Sequence, residues 1–340
     1  MISVTALDGQ TGDWDAFVGG ASGATFCHLA GWREVMKSAL GHSGSYLVAR
    51  DESGAWLGVL PLVRVKSPLL GHYLVSMPFL NAGGPLGTPD AKLALVDHAV
   101  ADARHSRADL LELRSRTPIP GDLRVSHRKI TVQLALPSTS AELWTALPGK
   151  LRSQIRRPQK EGFTVRFGPD QTDAFYSVFT RNMRALGTPV LPRMLFERIA
   201  AVFPELVEFG VVYRGAEPIA AGCGFAWQRE FELVWASALR EYSRSAPNML
   251  LYWAFLERTI DRAVPLFDFG RCTPDSGTHA FKRQWGGVDV PLPWAQWSPR
   301  NVTSTPSPDK PLFRFAAACW SHLPLAVTNR LGPLIATRLP

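Results

Sequence analysis

The chain has few cysteines and none of them are grouped. Cys27, Cys223, Cys272 and Cys319 stand far apart, with no CxxC pair and no Cys/His cluster, which argues against zinc or dithiol redox chemistry. Scattered single cysteines suit a reducing compartment. The opening residues, MISVTALDGQTGDWDAF, have no basic start and no apolar stretch of the kind a secretory signal needs. No apolar run approaches the roughly 20 residues of a membrane span, so the expected location is cytoplasmic. Four catalytic signatures are also missing: GxSxG, GxxxxGK[ST], HExxH and GxGxxG. The eight histidines show no ligand spacing. His28 beside Cys27, and His279 near Asp275 and Ser276, do not make a triad by proximity in sequence alone.

What is present is enough for two domains. The 340 residues are 46% apolar, which excludes a disordered chain. Lys and Arg number 37 against 29 Asp and Glu, a formal charge of +8. That balance favours phosphate-bearing partners or an anionic membrane surface, without choosing among them, and surplus Arg also serves solubility.

Two stretches read as the same kind of unit. In the first, helices over 12–17 and 30–40 precede a hairpin, Ser45–Arg50 and Trp56–Lys66, turning at Asp51-Glu52-Ser53-Gly54. A strand over Tyr73–Phe79, a helix over 90–105 and a strand at 110–114 follow. In the second, helices over 141–157, 172–186 and 192–203 precede a hairpin, Val207–Tyr213 and Ile219–Trp227. A strand at 232–237, a helix over 248–263 and a strand at 266–269 complete it. The order hairpin, strand, helix, strand occurs twice, so the expected class is α+β: tandem domains, each a mixed, mostly antiparallel sheet flanked by helices. The expected domains are 1–137 and 138–298, followed by 299–340. Ser298–Pro311 reads as a Pro-rich linker, and the apolar tail 312–340, with Arg314, Arg330 and Arg338, as either an interfacial element on the inner membrane or an arm packed on the body.

Three segments carry candidate chemistry. In Lys150–Lys160, Arg152, Arg156 and Lys160 recur every four residues, one cationic helix face beside Leu151 and Ile155; Pro158 should kink or end that helix. The face suits phosphate, or is simply solvated. Ser243, Arg244 and Asn248 sit where a loop enters a long helix, whose free N–H groups favour an anion; an ordinary helix start is the other reading. In Phe267-Asp268-Phe269-Gly270-Arg271 and Phe281-Lys282-Arg283-Gln284-Trp285, Arg271 and Lys282 offer positive charge to an oxyanion or phosphate, or else pair with Asp268.

LPGKLRSQIRRPQKEGFTVRFG (147–168), PNMLLYWAFLERTI (247–260) and FDFGRCTPDSGTHAFKRQWGG (267–287) resemble the FemAB-like branch of the GNAT acyltransferases, and SYLVAR, GVLPLVRVKSPLLG and SMPFLNAGGPLG resemble its N-terminal domain. The tail LPLAVTNRLGPLIATRLP is similar to that of a subgroup associated with exosortase (PEP-CTERM) exopolysaccharide systems. The resemblance implies tandem GNAT folds and transfer of an acyl or aminoacyl group to an amine or hydroxyl of a cell-envelope or exopolysaccharide precursor. A non-catalytic GNAT pair that binds a phosphorylated glycan carrier is the alternative. It implies that Lys282 lies near the acyl-transfer centre, framed by Phe281 and Trp285, and that Arg152, Arg156 and Arg157 form the basic helix. Asp268 is the candidate base or orienting carboxylate. The donor stays open: no helical insertion for tRNA separates the units, and no Q/R-x-x-G-x-G/A loop for acyl-CoA is evident. No metal is expected.

Overall fold

The computed structural model describes residues 1–9, 11–67, 71–299 and 311–339. The chain divides into two compact units. One comprises Met1–Lys129, Pro291–Ser307 and Ile335–Pro340; the other comprises Ile130–Val290 and Pro308–Leu334. Most of the expected linker falls on 300–310, outside the described residues.

The first unit runs β1 (Ser3–Ala6), α1 (Thr11–Gly20), a short 3-10 turn (Phe26–His28), α2 (Gly31–Leu40), β2 (Ser43–Arg50), β3 (Trp56–Ser67), β4 (Gly71–Val75), β5 (Leu86–Gly87), α3 (Pro89–His105), β6 (Leu110–Leu113) and the start of β7 (Arg124–Ala135). Strands β1 to β4 pair antiparallel in chain order, and β4 then pairs parallel with β6. The β2–β3 turn is built by Asp51, whose Oδ1 accepts from Ser53 N at 2.9 Å and Ala55 N at 2.9 Å, while Gly54 takes φ +86°. The strand expected over 73–79 stops at Val75, because Met77 and Phe79 take left-handed φ values of 59° and 70° that no ladder accepts. The small face of α3 (Ala91, Leu95, Ala99, Ala103) packs on Leu47, Leu60, Leu74 and Leu111 of the sheet.

The second unit contains α4 (Ser140–Ala146), α5 (Gly149–Lys160), β8 (Thr164–Phe167), α6 (Thr172–Ala185), α7 (Arg193–Val202), β9 (Val207–Arg214), β10 (Glu217–Trp227), β11 (Glu230–Ala238), α8 (Pro247–Asp261), β12 (Leu266–Cys272), α9 (Gly277–Arg283), the first three residues of β13 (Val288–Trp297), α10 (Pro311–His322) and most of α11 (Leu325–Ala336). Strands β8 to β11 pair antiparallel in order, β11 pairs parallel with β12, and β12 pairs antiparallel with β7. This repeats the first unit: an antiparallel meander, a crossover helix, and a closing parallel strand. The fold is α+β, as the sequence order implies.

Three details differ from expectation. The helix over 141–157 is two helices, broken at Leu147-Pro148, where Pro148 takes an extended conformation (φ −56°, ψ 143°). Pro158 does not end α5, which continues to Lys160; it lies in the last turn, where the missing N–H costs one bond and its ring is buried. Strands β7 and β13 were not foreseen. Helix α8 is apolar nearly all round, with Leu251, Phe255 and Leu256 fully buried, as a crossover helix enclosed by sheet and helices must be. Phe255 stands edge-on to Phe167 at 5.0 Å and packs on Phe231 at 5.5 Å.

Candidate active site

The site begins with a bulge in β12. Asp268 pairs with Gln133 and Arg271 pairs with Thr131, so three steps on β12 face two on β7. Gly270 carries the bulge at φ +74°, and a Cβ there would lie 2.6 Å from the Leu233 carbonyl oxygen, so only glycine fits. Asp268, fully buried, fixes the bend. It accepts hydrogen bonds from Gly270 N at 2.7 Å, from Gln133 Nε2 at 3.0 Å and from Thr131 Oγ1. The pairing rows between β11 and β12 end at Glu232–Asp268, just before the bulge.

The bend aims two carbonyls at one amine. Lys282 Nζ donates to Gly270 O at 2.6 Å and to Arg271 O at 2.9 Å. Helix α9 delivers it, started by Ser276, whose Oγ accepts from His279 N at 3.2 Å. Lys282 is only 4% exposed, and burial lowers its pKa to about 8, partly offset by Cys272, Asp268 and Glu232 nearby. An ammonium has three donors, so one N–H remains beyond the two carbonyls. Carboxylate oxygens of Glu230, Glu232 and Asp268 lie within 4.8 Å of one another beside this amine, a grouping of metal-ligating type that the sequence did not suggest. Phe281 and Trp285 frame the site through Tyr252 of α8. Tyr252 is 4.8 Å from Phe281, edge-on, and stacks on Trp285 at 6.2 Å and on Phe269 at 5.9 Å. Burial pushes the Tyr252 hydroxyl well above its usual pKa, so it stays protonated. The indole N–H of Trp285 is buried without a hydrogen-bond partner.

A second, cationic grouping forms on α5, beside the turn that leads into α8. Ser153, Arg156, Arg157 and Lys160 of α5 line an open groove of about 390 Å³ with Glu161. Arg152, half-buried, is not among its lining residues. Arg156 lies over the Trp144 ring at 5.0 Å. Arg157 Nη1 donates to the Arg244 carbonyl at 2.7 Å, joining the basic helix to the 3-10 turn Arg240–Ser245. Ser243 and Arg244 are exposed on that turn, and Asn248 is half-buried in the first turn of α8. No side chain caps this helix: Ala246 takes φ 53° and Pro247 opens the first turn. Pro247 and Tyr252 are five residues apart, about 8 Å along the helix.

The structure therefore gathers Asp268, Arg271 and Lys282 at the bulge, Phe281 and Trp285 around Tyr252, and Arg156 and Arg157 at the groove, with Arg244 on the turn that Arg157 bonds. It places His279 against Asp289 at 3.0 Å and Ser276 in a cap, neither arranged as a nucleophile and base. Thr131, Gln133, Glu232 and Tyr252 were missed. The alternation Ile130-Thr131-Val132-Gln133-Leu134 is a strand pattern that would have exposed the first two.

Residues 149–283 match the acetyltransferase (GNAT) domain family. No curated protein matches the sequence significantly. Among solved structures, FemX is similar over 93% of this chain and all of its own, at 14% identity and a TM-score of 0.65. A tandem GNAT protein from the clavulanic acid biosynthesis pathway is similar over 88% of this chain and 98% of its own, at 12% identity and a TM-score of 0.52. The C-terminal domain of a putative lysylphosphatidylglycerol synthetase from Agrobacterium fabrum is similar over 75% and 85%, at 14% identity and a TM-score of 0.52. Residues 149–283 thus match the acetyltransferase (GNAT) domain family, and the fold of the chain is similar to those of FemX and of a tandem GNAT protein.

Proposed function

We propose that the protein transfers an acyl or aminoacyl group to an amine or hydroxyl of a phosphate-bearing cell-envelope or exopolysaccharide precursor, with the second unit as the catalytic one. The observation that carries this is Lys282: a buried amine with one unused N–H, held at the point where the β11–β12 pairing ends. A carbonyl oxygen seated on that N–H gains its strongest hydrogen bond when it becomes an oxyanion, which is the condition for lowering the barrier. The acceptor's nitrogen or oxygen attacks the acyl carbon. The bond to the donor's sulfur or ribose oxygen breaks, and the acceptor's proton ends on that leaving atom. Asp268 has three hydrogen-bond donors and no exposure, so it acts as the orienting carboxylate that shapes the bulge. Arg156, Arg157 and Arg244 hold the donor's or acceptor's phosphates beside the open start of α8. The likeness to FemX and to the lysylphosphatidylglycerol synthetase domain supports an envelope acceptor. Acyl-CoA is the first donor to test, with aminoacyl-tRNA second.

The experiment is a thermal-shift titration with acetyl-CoA, longer acyl-CoAs and CoA, with nucleotide sugars alongside. A ligand at a hundred times its dissociation constant adds about 2.7 kcal/mol of stability. A saturable shift with acyl-CoA that Arg157→Ala weakens supports a CoA-dependent transferase. A shift with nucleotide sugars alone points to the acceptor site and to aminoacyl-tRNA as donor. No shift with any of them excludes a CoA-linked donor, and no binding of aminoacyl-tRNA in addition refutes the proposal.

A further inference from the structure

Helix α11 packs through its small residues and exposes its large ones. Thr328, Gly332 and Ala336, four residues apart, are all buried. A Cβ on Gly332 would come within 2.9 Å of Val190 N and Cγ1, so the helix backbone lies directly on that segment. At about 100° per residue Val327 and Leu334 stand across the helix from that row and Leu331 beside them toward Thr328, with Leu331 and Leu334 exposed by 42% and 56%. Ile335, next to Leu331 on the helix surface, is also exposed. A helix meant only to close a soluble core shows the reverse arrangement. An apolar surface of this kind marks an interaction site.

Charge indicates the occupant. From residue 311 to 340 the sequence has no Asp or Glu, and its three arginines are Arg314, Arg330 and Arg338. Arg314, Arg330 and Arg338 are exposed. Long aliphatic side chains flanked by cations, with no carboxylate among them, fit a surface that is apolar below and anionic above. Helices α10 and α11 each have 12 residues, about 18 Å, against a hydrocarbon core of about 30 Å. Among the described residues no helix is long and apolar enough to cross a membrane, so the mode is to lie on the surface.

We propose that the outer face of α11 docks on a bilayer of anionic lipid. Val327, Leu331 and Leu334 enter the boundary between headgroups and acyl chains, and the arginines meet lipid phosphates. The surface is separate from the groups around Lys282, so it stands or falls independently of the acyl donor.

The test is co-sedimentation of the full chain with vesicles of phosphatidylcholine alone or with one-third phosphatidylglycerol. An arginine near an anionic surface contributes about 1 kcal/mol, roughly fivefold in binding, so three give on the order of a hundredfold preference for the anionic vesicles. High salt removes that preference. Leu331→Glu with Leu334→Glu abolishes binding, while the melting temperature and the response to acyl-CoA stay as in the parent. Should that variant fail to fold, Arg314→Gln with Arg330→Gln serves instead and loses roughly 25-fold on anionic vesicles only. Equal binding to both vesicle types, or retained binding in the folded Glu variant, overturns the proposal. So does a parent chain that is dimeric by light scattering and becomes monomeric in the Glu variant, since a second copy would then own this face.

Discussion

Replacing Lys282 by methionine keeps the length of the stem and removes the buried charge. Burial holds this amine at a pKa of about 8, against 10.5 for an exposed lysine. The unfolded chain therefore binds the proton more tightly, and carrying the charge into the fold costs about 3 kcal/mol at pH 7. The cost is present in full below pH 8 and is relieved as pH rises toward 10.5. Urea unfolding of parent and Lys282→Met between pH 7 and 9.5 should show the parent gaining about 2 kcal/mol relative to the variant. Stopping at pH 9.5 keeps tyrosine ionisation out of the comparison, and subtracting the variant removes every other titrating group. At pH 7 itself two effects oppose. The variant escapes the charge cost but strands the Gly270 and Arg271 carbonyls, each worth about 1–3 kcal/mol when buried without a donor. Absolute stability at neutral pH is therefore a poor test, and the slope is the good one. Two parallel curves would refute the buried, partly neutral amine. A parent that gains stability while losing turnover above pH 8 would tie the charged form to catalysis.

Further outcomes are expected nearby. Gly270→Ala should cost at least about 2 kcal/mol, because a left-handed residue with a side chain is strained and the new Cβ meets the Leu233 carbonyl; a cost below about 0.5 kcal/mol in urea would mean that the bulge relaxes easily. Thr131→Val removes one of the donors to Asp268 at nearly constant volume and should destabilise by about 1–3 kcal/mol, read by the same unfolding assay. Arg157→Ala should weaken an anionic donor about tenfold by calorimetry with little change in melting temperature, since the side chain is exposed and its one bond reaches the Arg244 carbonyl; an unchanged affinity would separate the groove from the ligand.

The architecture was legible where local chemistry agrees with the tertiary outcome. Asp51-Glu52-Ser53-Gly54 turns because an Asp carboxylate can bond the N–H groups that follow and Gly can take positive φ; both happen. The bulge was not legible. Nothing in Phe267-Asp268-Phe269-Gly270-Arg271 says that Gly270 takes a left-handed conformation until β7 is paired beside it, and β7 lies some 135 residues earlier in sequence. The hydrogen bonds of Lys282 were not legible either, because they run to the backbone carbonyls of Gly270 and Arg271, which sequence does not display. Glu232 escaped notice because its neighbour across the parallel pair, Asp268, lies on the far side of a whole crossover helix.

The repeated topology allows one more prediction, because the two units differ at the same place. In the first, the parallel rows Tyr73–Leu110, Leu74–Leu111 and Val75–Glu112 correspond in order to Glu230–Leu266, Phe231–Phe267 and Glu232–Asp268 in the second. Beyond Glu112 the first unit stays closed: Ser76 N donates to Glu112 O at 2.9 Å, Arg114 N to Ser76 Oγ at 2.7 Å, and Gly83 N to Arg114 O at 3.0 Å. The Arg114 side chain, buried, then fills the position beyond. It pairs with Glu112 at 2.8 Å, donates to Leu80 O at 3.1 Å and lies over the Trp294 ring at 4.6 Å. Gln296 Nε2 takes the other Glu112 oxygen at 2.7 Å. Where the second unit keeps a glycine and a lysine with a spare N–H, the first keeps a saturated ion pair under an indole, so only the second is expected to bind donor at this place in the fold. Calorimetric titration with a donor that gives a thermal shift should return a stoichiometry near one, abolished by a folded Lys282 variant or a groove variant of the second unit. A stoichiometry near two would show that the first unit opens despite Arg114, and that burial of this ion pair is not the barrier inferred from it. Arg114→Ala should in that case leave stability nearly unchanged, whereas an ion pair that is structural loses about 3–5 kcal/mol when one partner is removed.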